Sequence, residues 1–391
     1  MTDSVNIVHW NCQGFNAHGP EYIWSLSKQK HIPDIICLQE TFFLNEKDHP
    51  DITGFILANF STRNIKRGGT AIYCKNHLNY TVRNIDTLLE VSAIDIKLNN
   101  KLTTIVNIYD TDSKTTQSEY QKIFTQISDQ YVVCGDFNAH HKLWGGRRND
   151  TKGNRLYNHV IENNIVVLND GTGTRLNPIN METSSIDLSL VNTSIGPHCT
   201  WYVDQKSTHG SDHFVVNIKI SYKPMIYSNQ YNSLKWNYKN ADWKGFTNAC
   251  DIKFSCNMVS DNIQETNTTL TKELINIAGD YIPVKKFNNK NQKPCVPWWD
   301  QNCTKLVRQR NKARNRASHT GRGEDFKNYK EKEKLCKKLL HDTQQTYWEN
   351  YCNSLNNNSN LSQVWYNVKK MLGHAPSKKR NPYPKAKRYS L

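Results

Sequence analysis

Residues 132–138 read VVCGDFN, an apolar, β-branched run of strand length that stops at Gly135, Asp136, Phe137 and Asn138. Such a run, bounded by turn residues, predicts a buried strand, and polar groups at a strand tip stand where chemistry is usually mounted. Asp136 and Asn138 lie two apart. An extended backbone therefore carries both on one face, one as an acceptor for a cation or water, the other as a donor for phosphate. The pattern recurs over the first 220 residues: IVHWNCQG ends at Asn11, DIICLQET reaches Glu40, SSIDLSLV holds Asp187, and HGSDHFVVNIKI sets Ser211, Asp212 and His213 before another run. Taken singly, each reads as a solvated strand end, a turn cap or a satisfied histidine.

Between residues 5 and 220 the spacing predicts strands at Val5 to Asn11, Asp34 to Leu38, Gly69 to Lys75, Ser92 to Leu98, Leu102 to Tyr109, Tyr131 to Gly135, Ile165 to Leu168, Ile186 to Val191 and Phe214 to Ile220. Asn99 and Asn100 tolerate the left-handed backbone of a tight hairpin turn. Helices are predicted at Pro20 to Lys30, Gln117 to Ser128 and Gly153 to Asn163. This mixture fits an α/β fold of two packed sheets flanked by helices.

Past residue 220 the composition changes. Residues 1–220 hold 20 Lys and Arg against 22 Asp and Glu, and residues 221–391 hold 31 against 13, so the net charge of +16 is −2 plus +18. An excess confined to one segment implies an acidic partner there, most simply nucleic acid: DNA, with RNA as a further partner. Residues 221–297 read as a linker and a partly helical region. Residues 298–375 read as a basic helical hairpin, residues 376–391 as a disordered basic tail, and a short helix is expected around Trp365 to Leu372. In DQNCTKLVRQRNKARNRA, Cys303, Leu306, Val307, Arg310 and Ala313 are spaced helically, while Lys305, Arg308, Lys312, Arg314 and Arg316 supply a basic surface. Arg308, Arg310 and Arg314 are the nucleic-acid contacts expected from this helix. A second helix should begin near Glu324, with Phe326, Tyr329, Cys336, Leu339, Leu340, Thr343, Tyr347 and Tyr351 on one stripe.

Eleven cysteines without a CxxC pair argue against a disulfide framework or a zinc ribbon. No apolar run approaches the roughly 18 residues of a membrane span, and the N-terminus has no basic region ahead of an apolar stretch. The expectation is an intracellular protein in a reducing compartment, with no membrane partner and no small-molecule cofactor.

In their order and spacing, the five polar-tipped segments resemble the endonuclease/exonuclease/phosphatase superfamily over about residues 5 to 220. GGTAIYCK, GDFNAHHKLWGG and GNRLYNHV, with short intervening loops, are similar to the endonuclease domain of non-LTR retrotransposons, most of all the jockey group. The resemblance implies a four-layer α/β sandwich. It also implies magnesium, with manganese as the alternative, held by Glu40 with Asn11 and with Asp212 as a second ligand, all hard oxygen donors. By the same resemblance Asp136 activates or orients water, Asn138 holds the phosphate, His213 contacts the phosphoryl oxygen and Asp187 fixes that imidazole. Tyr109, in VNIYDTDS, matches a phosphate-binding tyrosine. The proline-containing turn usual after it is replaced by Asp110, Thr111 and Asp112, whose charge should weaken phosphate binding. Asn154, Arg155 and Arg147 are expected at the DNA backbone.

PWWDQNCTKLVRQRNKAR is typical of the connector before a reverse transcriptase in such elements. The chain stops before any paired-aspartate strand turn, so no polymerase activity is expected and the chain reads as a truncated element or fragment. The leading expectation is a magnesium-dependent endonuclease that nicks chromosomal DNA, leaving a 3′ hydroxyl for target-primed reverse transcription, hence a nuclear protein. The alternatives are a phosphatase or phospholipase of the same fold, and a catalytically dead nucleic-acid-binding remnant.

Overall fold

The computed structural model describes residues 4–29, 31–45, 48–62, 67–222, 240–254, 263–283, 296–355 and 364. Of the linker expected around 221 to 235, all but residues 221 and 222 lies outside these residues, as do the short helix at Trp365 to Leu372 and the basic tail. In chain order the elements are β1 (Ser4–Asn11), α1 (Phe15–Lys28), β2 (Ile35–Gln39), β3 (Phe55–Ser61), β4 (Thr70–Lys75), β5 (Tyr80–Arg83), β6 (Glu90–Leu98), β7 (Lys101–Tyr109), α2 (Gln117–Phe124), β8 (Gln130–Asp136) and α3 (Thr151–Glu162). There follow β9 (Val166–Val167), β10 (Arg175–Leu176), β11 (Thr183–Ser184), β12 (Asp187–Val191), β13 (Cys199–Asp204), β14 (Val215–Ser221), α4 (Trp243–Lys253), α5 (Ile263–Tyr281), α6 (Gln301–Thr320) and α7 (Gly323–Asn353).

Among the described residues twelve strands form two six-stranded mixed sheets, ordered β13-β14-β1-β2-β4-β3 and β5-β6-β7-β8-β12-β9, and β10 pairs with β11 in a separate antiparallel ribbon. Inward residues of the first (Val5, Ile7, Ile35, Cys37, Ile72) meet those of the second (Ile94, Ile105, Val132, Cys134, Val191) in one dry layer. On the outer face of the first sheet α1 buries Phe15, Tyr22 and Leu26 against Trp10, Leu38 and Tyr73. On the outer face of the second, α2 and α3 bury Tyr120, Ile123, Leu156 and Val160 against Val106, Val133 and Leu190. This is the four-layer sandwich, each layer closed by apolar surface removed from water.

The hairpin turn at Asn99 and Asn100 adopts φ of 49° and 61°, the left-handed values such a turn needs. Helix α1 starts at Phe15, five residues before the predicted start; Pro20 lies inside it, beyond the first turn where proline is best tolerated. Strands β3, β5 and β13 were not predicted. Their exposed positions interrupt the apolar runs that mark the other strands.

The chain divides into two compact units, Met1–Lys223 with Gln292–Leu391, and Pro224–Asn291. In the second unit α4 is capped by the Asp242 side chain on the Gly245 amide, and the Asp242 amide donates to Tyr281 at the end of α5. In the first unit α6 is capped by Asp300, whose Oδ1 accepts the Cys303 amide at 2.7 Å, and ends at Gly321 with φ 63°. Helices α6 and α7 bury Ala313, Ala317 and Tyr329 against Leu176, Met181 and Phe214. The Arg310 fork grips Glu21 of α1, Nη1 to Oε2 at 2.8 Å and Nη2 to Oε1 at 2.6 Å, and Trp24 stacks on Trp299. Farther along α7 the predicted stripe reaches solvent at Tyr347.

Candidate active site

Sheet registers bring the polar strand ends together. Strands β1 and β2 run parallel with Asn11 opposite Gln39, so Glu40, one residue on, stands beside Asn11. In the other sheet Tyr109 pairs with Asp136 and Asp136 with Asp187, a lateral row on three adjacent strands. Side chains in register on neighbouring strands share a face. Gly135 permits this row because β7 runs so close: a Cβ there would lie 1.9 Å from the Ile108 carbonyl oxygen, and its φ is 140°.

Asn11 joins the two sheets. Its Nδ2 donates to Glu40 Oε1 and to Asp136 Oδ2, each at 2.9 Å, and Tyr109 Oη donates to the same Glu40 oxygen at 2.7 Å. Glu40 itself adopts φ 51°, an uncommon conformation secured where the Thr41 and Phe42 amides donate to the Gly69 and Gly68 carbonyls. The segment ahead of β14 hangs from β1. Ser211 Oγ donates to the Asn11 carbonyl at 2.8 Å and accepts the His213 amide at 3.1 Å, while Trp10 Nε1 donates to the His213 carbonyl.

His213 Nδ1 faces both Asp187 oxygens at 3.0 and 2.9 Å; its Nε2 lies 4.0 Å from Asp136 Oδ2 and 3.5 Å from Asp212 Oδ1. Thr174 Oγ1 fixes Asp187 from behind at 2.6 Å. Burial pulls the imidazole toward its neutral form. The Asp187 carboxylate, helped by Asp136 and Asp212, outweighs that and raises its pKa to about 9. Burial, reinforced by Asp187, raises Asp136 to about 7 against the opposing pull of His213, Asn11 and the Asn138 amide. Asn138, at φ 47°, folds its amide onto Asp136 Oδ1 at 2.9 Å. Asn11, Asp136, Asp187 and His213 are buried, whereas Glu40 and Asn138 are partly exposed, so the cluster reaches solvent on their side.

A ligand atom each from Asp136, Asp187 and His213 lie within 4.8 Å of one another. The Asp187–His213 hydrogen bond occupies this trio and favours imidazolium, which cannot bind a metal through a protonated nitrogen. Glu40 and Asn11, adjoining Asp136, offer oxygen donors at the open edge, and Glu40 Oε2 accepts no hydrogen bond among the described residues. That donor chemistry fits a hard divalent cation that keeps part of its water. Of the Asp212 carboxylate, Oδ2 is bonded to Arg175 Nε at 2.9 Å, while Oδ1 accepts no hydrogen bond among the described residues.

Three expectations need correction. Arg310 and Arg314 do not face nucleic acid: Arg310 is buried on Glu21, and Arg314 donates to the Gln205 and Lys206 carbonyls while lying over the Phe214 ring. Helical spacing could not separate solvent from the adjoining sandwich, because the partner of that face is distant in sequence. Asp110 does not present charge to a phosphate either, since it is fully buried and paired with Lys152 Nζ at 3.0 Å. Of the other cations, Arg308 is exposed, Arg147 pairs with Glu182, and Arg155 Nη1 donates to the Thr115 carbonyl near exposed Asn154. Lys152, Arg175 and Thr174 were missed. None of the three carried a signal: the helix was predicted from Gly153, and only the observed start at Thr151 puts the Lys152 cation in a first turn, where the helix dipole disfavours it.

Residues 103–217 match the family described as Endonuclease-reverse transcriptase. Over 202 residues, 50% of this chain, the sequence is 28% identical to a Drosophila melanogaster protein called Probable RNA-directed DNA polymerase from transposon X-element, and the chain spans 22% of that relative's length. Solved structures that match include the endonuclease domain of TRAS1, a telomere-specific non-LTR retrotransposon (19% identity, 56% of this chain, 98% of that chain, TM-score 0.46). An AP endonuclease from Archaeoglobus fulgidus also matches (20% identity, 55% of this chain, 98% of that chain, TM-score 0.42).

Proposed function

We propose, for a chain that carries an endonuclease domain of the endonuclease/exonuclease/phosphatase superfamily in the form found in non-LTR retrotransposons, that it nicks DNA by metal-dependent phosphodiester hydrolysis. One observation carries the reading: Asn11, Glu40, Tyr109, Asp136, Asn138, Asp187 and His213, drawn from both sheets, meet in a single cluster. Glu40 and Asn11 would hold Mg2+ or Mn2+, which supplies positive charge to the phosphate oxygens. Asp136, with a carboxyl raised toward neutrality, accepts a proton from the attacking water as the water oxygen bonds to phosphorus. The bond from phosphorus to the 3′ oxygen breaks, and that oxygen takes up a proton to leave a 3′ hydroxyl. One N–H of Asn138 holds the phosphate, and Tyr109 joins it when its O–H turns from Glu40. His213, kept cationic by Asp187, lies against a phosphoryl oxygen.

A 3′ hydroxyl at a nick can prime DNA synthesis on chromosomal DNA, and the site of action proposed with this reading is the nucleus. Incubating the protein with supercoiled plasmid and Mg2+ should give open circles that a DNA polymerase extends without further treatment. EDTA and His213→Ala should each leave the plasmid supercoiled. A plasmid left intact by the wild type in both Mg2+ and Mn2+ across a range of salt concentrations rejects the proposal.

A further inference from the structure

Asp110 takes the place of the proline-containing turn expected after Tyr109 and is fully buried, as is Lys152 at 4% exposure. A buried carboxylate and a buried ammonium are each costly, and both persist only when paired and fully hydrogen-bonded. Here the satisfaction is dense. Asp110 Oδ1 accepts Thr115 Oγ1 at 2.9 Å and the Asp112 amide at 3.1 Å, Oδ2 accepts Tyr120 Oη at 2.8 Å, and Lys152 Nζ lies 3.0 Å from Oδ1.

The same residue touches the reacting groups through its main chain. The Asp110 amide donates to the Asp136 carbonyl at 2.9 Å. The Asp110 carbonyl accepts Lys152 Nζ at 2.8 Å and Asn138 Nδ2 at 3.3 Å. One N–H of the Asn138 carboxamide is thus tied down and the other makes no hydrogen bond among the described residues. Lys152 meanwhile occupies the first turn of α3, where its charge opposes the helix dipole, and Asp110 offsets that cost.

We infer that Lys152, acting through Asp110, is a positioning residue of the nuclease site: it fixes the carbonyl that aims the Asn138 carboxamide at the phosphate. The inference deepens the nuclease reading and rests on it. Lys152→Met leaves Asp110 buried without a counter-charge, so a second variant, Asp110→Asn with Lys152→Met, removes both charges at nearly constant shape. Plasmid nicking in Mg2+, Tm, and duplex binding in EDTA are measured for wild type and both variants.

Lys152→Met should lose both Tm and activity. The double variant should recover Tm, yet keep a kcat at least about tenfold below wild type, as expected when a contact group is misaimed. Its KM, and its Kd for duplex in EDTA, should stay within about twofold of wild type, because only alignment is lost. A double variant that nicks at the wild-type kcat overturns the role of Lys152. An inactive wild type is a separate result, which removes the nuclease reading and this inference with it.

Discussion

His213 owes its charge to a neighbour 26 residues upstream, since without Asp187 the burial of the imidazole would favour its neutral form. Asp187→Asn keeps the shape and removes that stabilisation. Nicking by this variant should fall by roughly 10²- to 10⁴-fold in kcat, as when an imidazole loses its orienting carboxylate. Activity within a few fold of wild type would show that the histidine acts without its partner. Gly135 makes a second demand at single-residue level. Gly135→Ala forces a methyl group into the Ile108 carbonyl and a left-handed φ on a residue with a Cβ, so denaturant unfolding should show a loss of about 3 kcal/mol or more. Neither Gly135 nor Asp187 is unusual as a residue type. The close approach of β7 in one case and the facing imidazole in the other make them necessary.

Among the elements, the docking of α6 on α1 turns on Arg310 and Glu21. Burial pushes the Glu21 carboxyl up, but Arg310 and then His209 more than reverse this, and its folded pKa falls below the ordinary 4.5. A depressed carboxyl pKa contributes stability that is present above the unfolded value and lost as pH falls toward the folded one. Wild-type stability should therefore hold above about pH 4.5 and decline in more acidic solution, and Arg310→Ala should flatten that decline. The same substitution leaves Glu21 buried without its partner, which costs about 3–5 kcal/mol, read as a lower denaturant midpoint at neutral pH. An unchanged midpoint would mean that α6 is held by its apolar contacts alone. The hairpin's existence was legible from i, i+3 and i, i+4 spacing, but which arginines lie inside was not.

For the whole molecule, charge and apolar contact pull the C-terminal segment in two directions. All of the net positive charge lies past residue 220, so affinity for duplex DNA should fall linearly on a log–log plot against salt, and removing residues 292–391 should reduce that slope. That removal also uncovers Leu176, Met181 and Phe214, so Tm should drop and exposed apolar surface should appear by dye binding. No helix among the described residues is long and apolar enough to cross a membrane. By itself the sequence determined the elements built on apolar runs: short-range alternation marks those strands, and the polar residues at their ends, Asn11, Glu40, Asp136, Asp187 and His213, are readable as candidates because strand ends are local features. Tertiary structure alone decided the pairings that bring Asn11 onto both Glu40 and Asp136, sink Asp110 and Lys152 together, and turn Arg310 and Arg314 inward. Those depend on the register between strands and on contacts between residues up to 289 positions apart, about which local spacing carries no information.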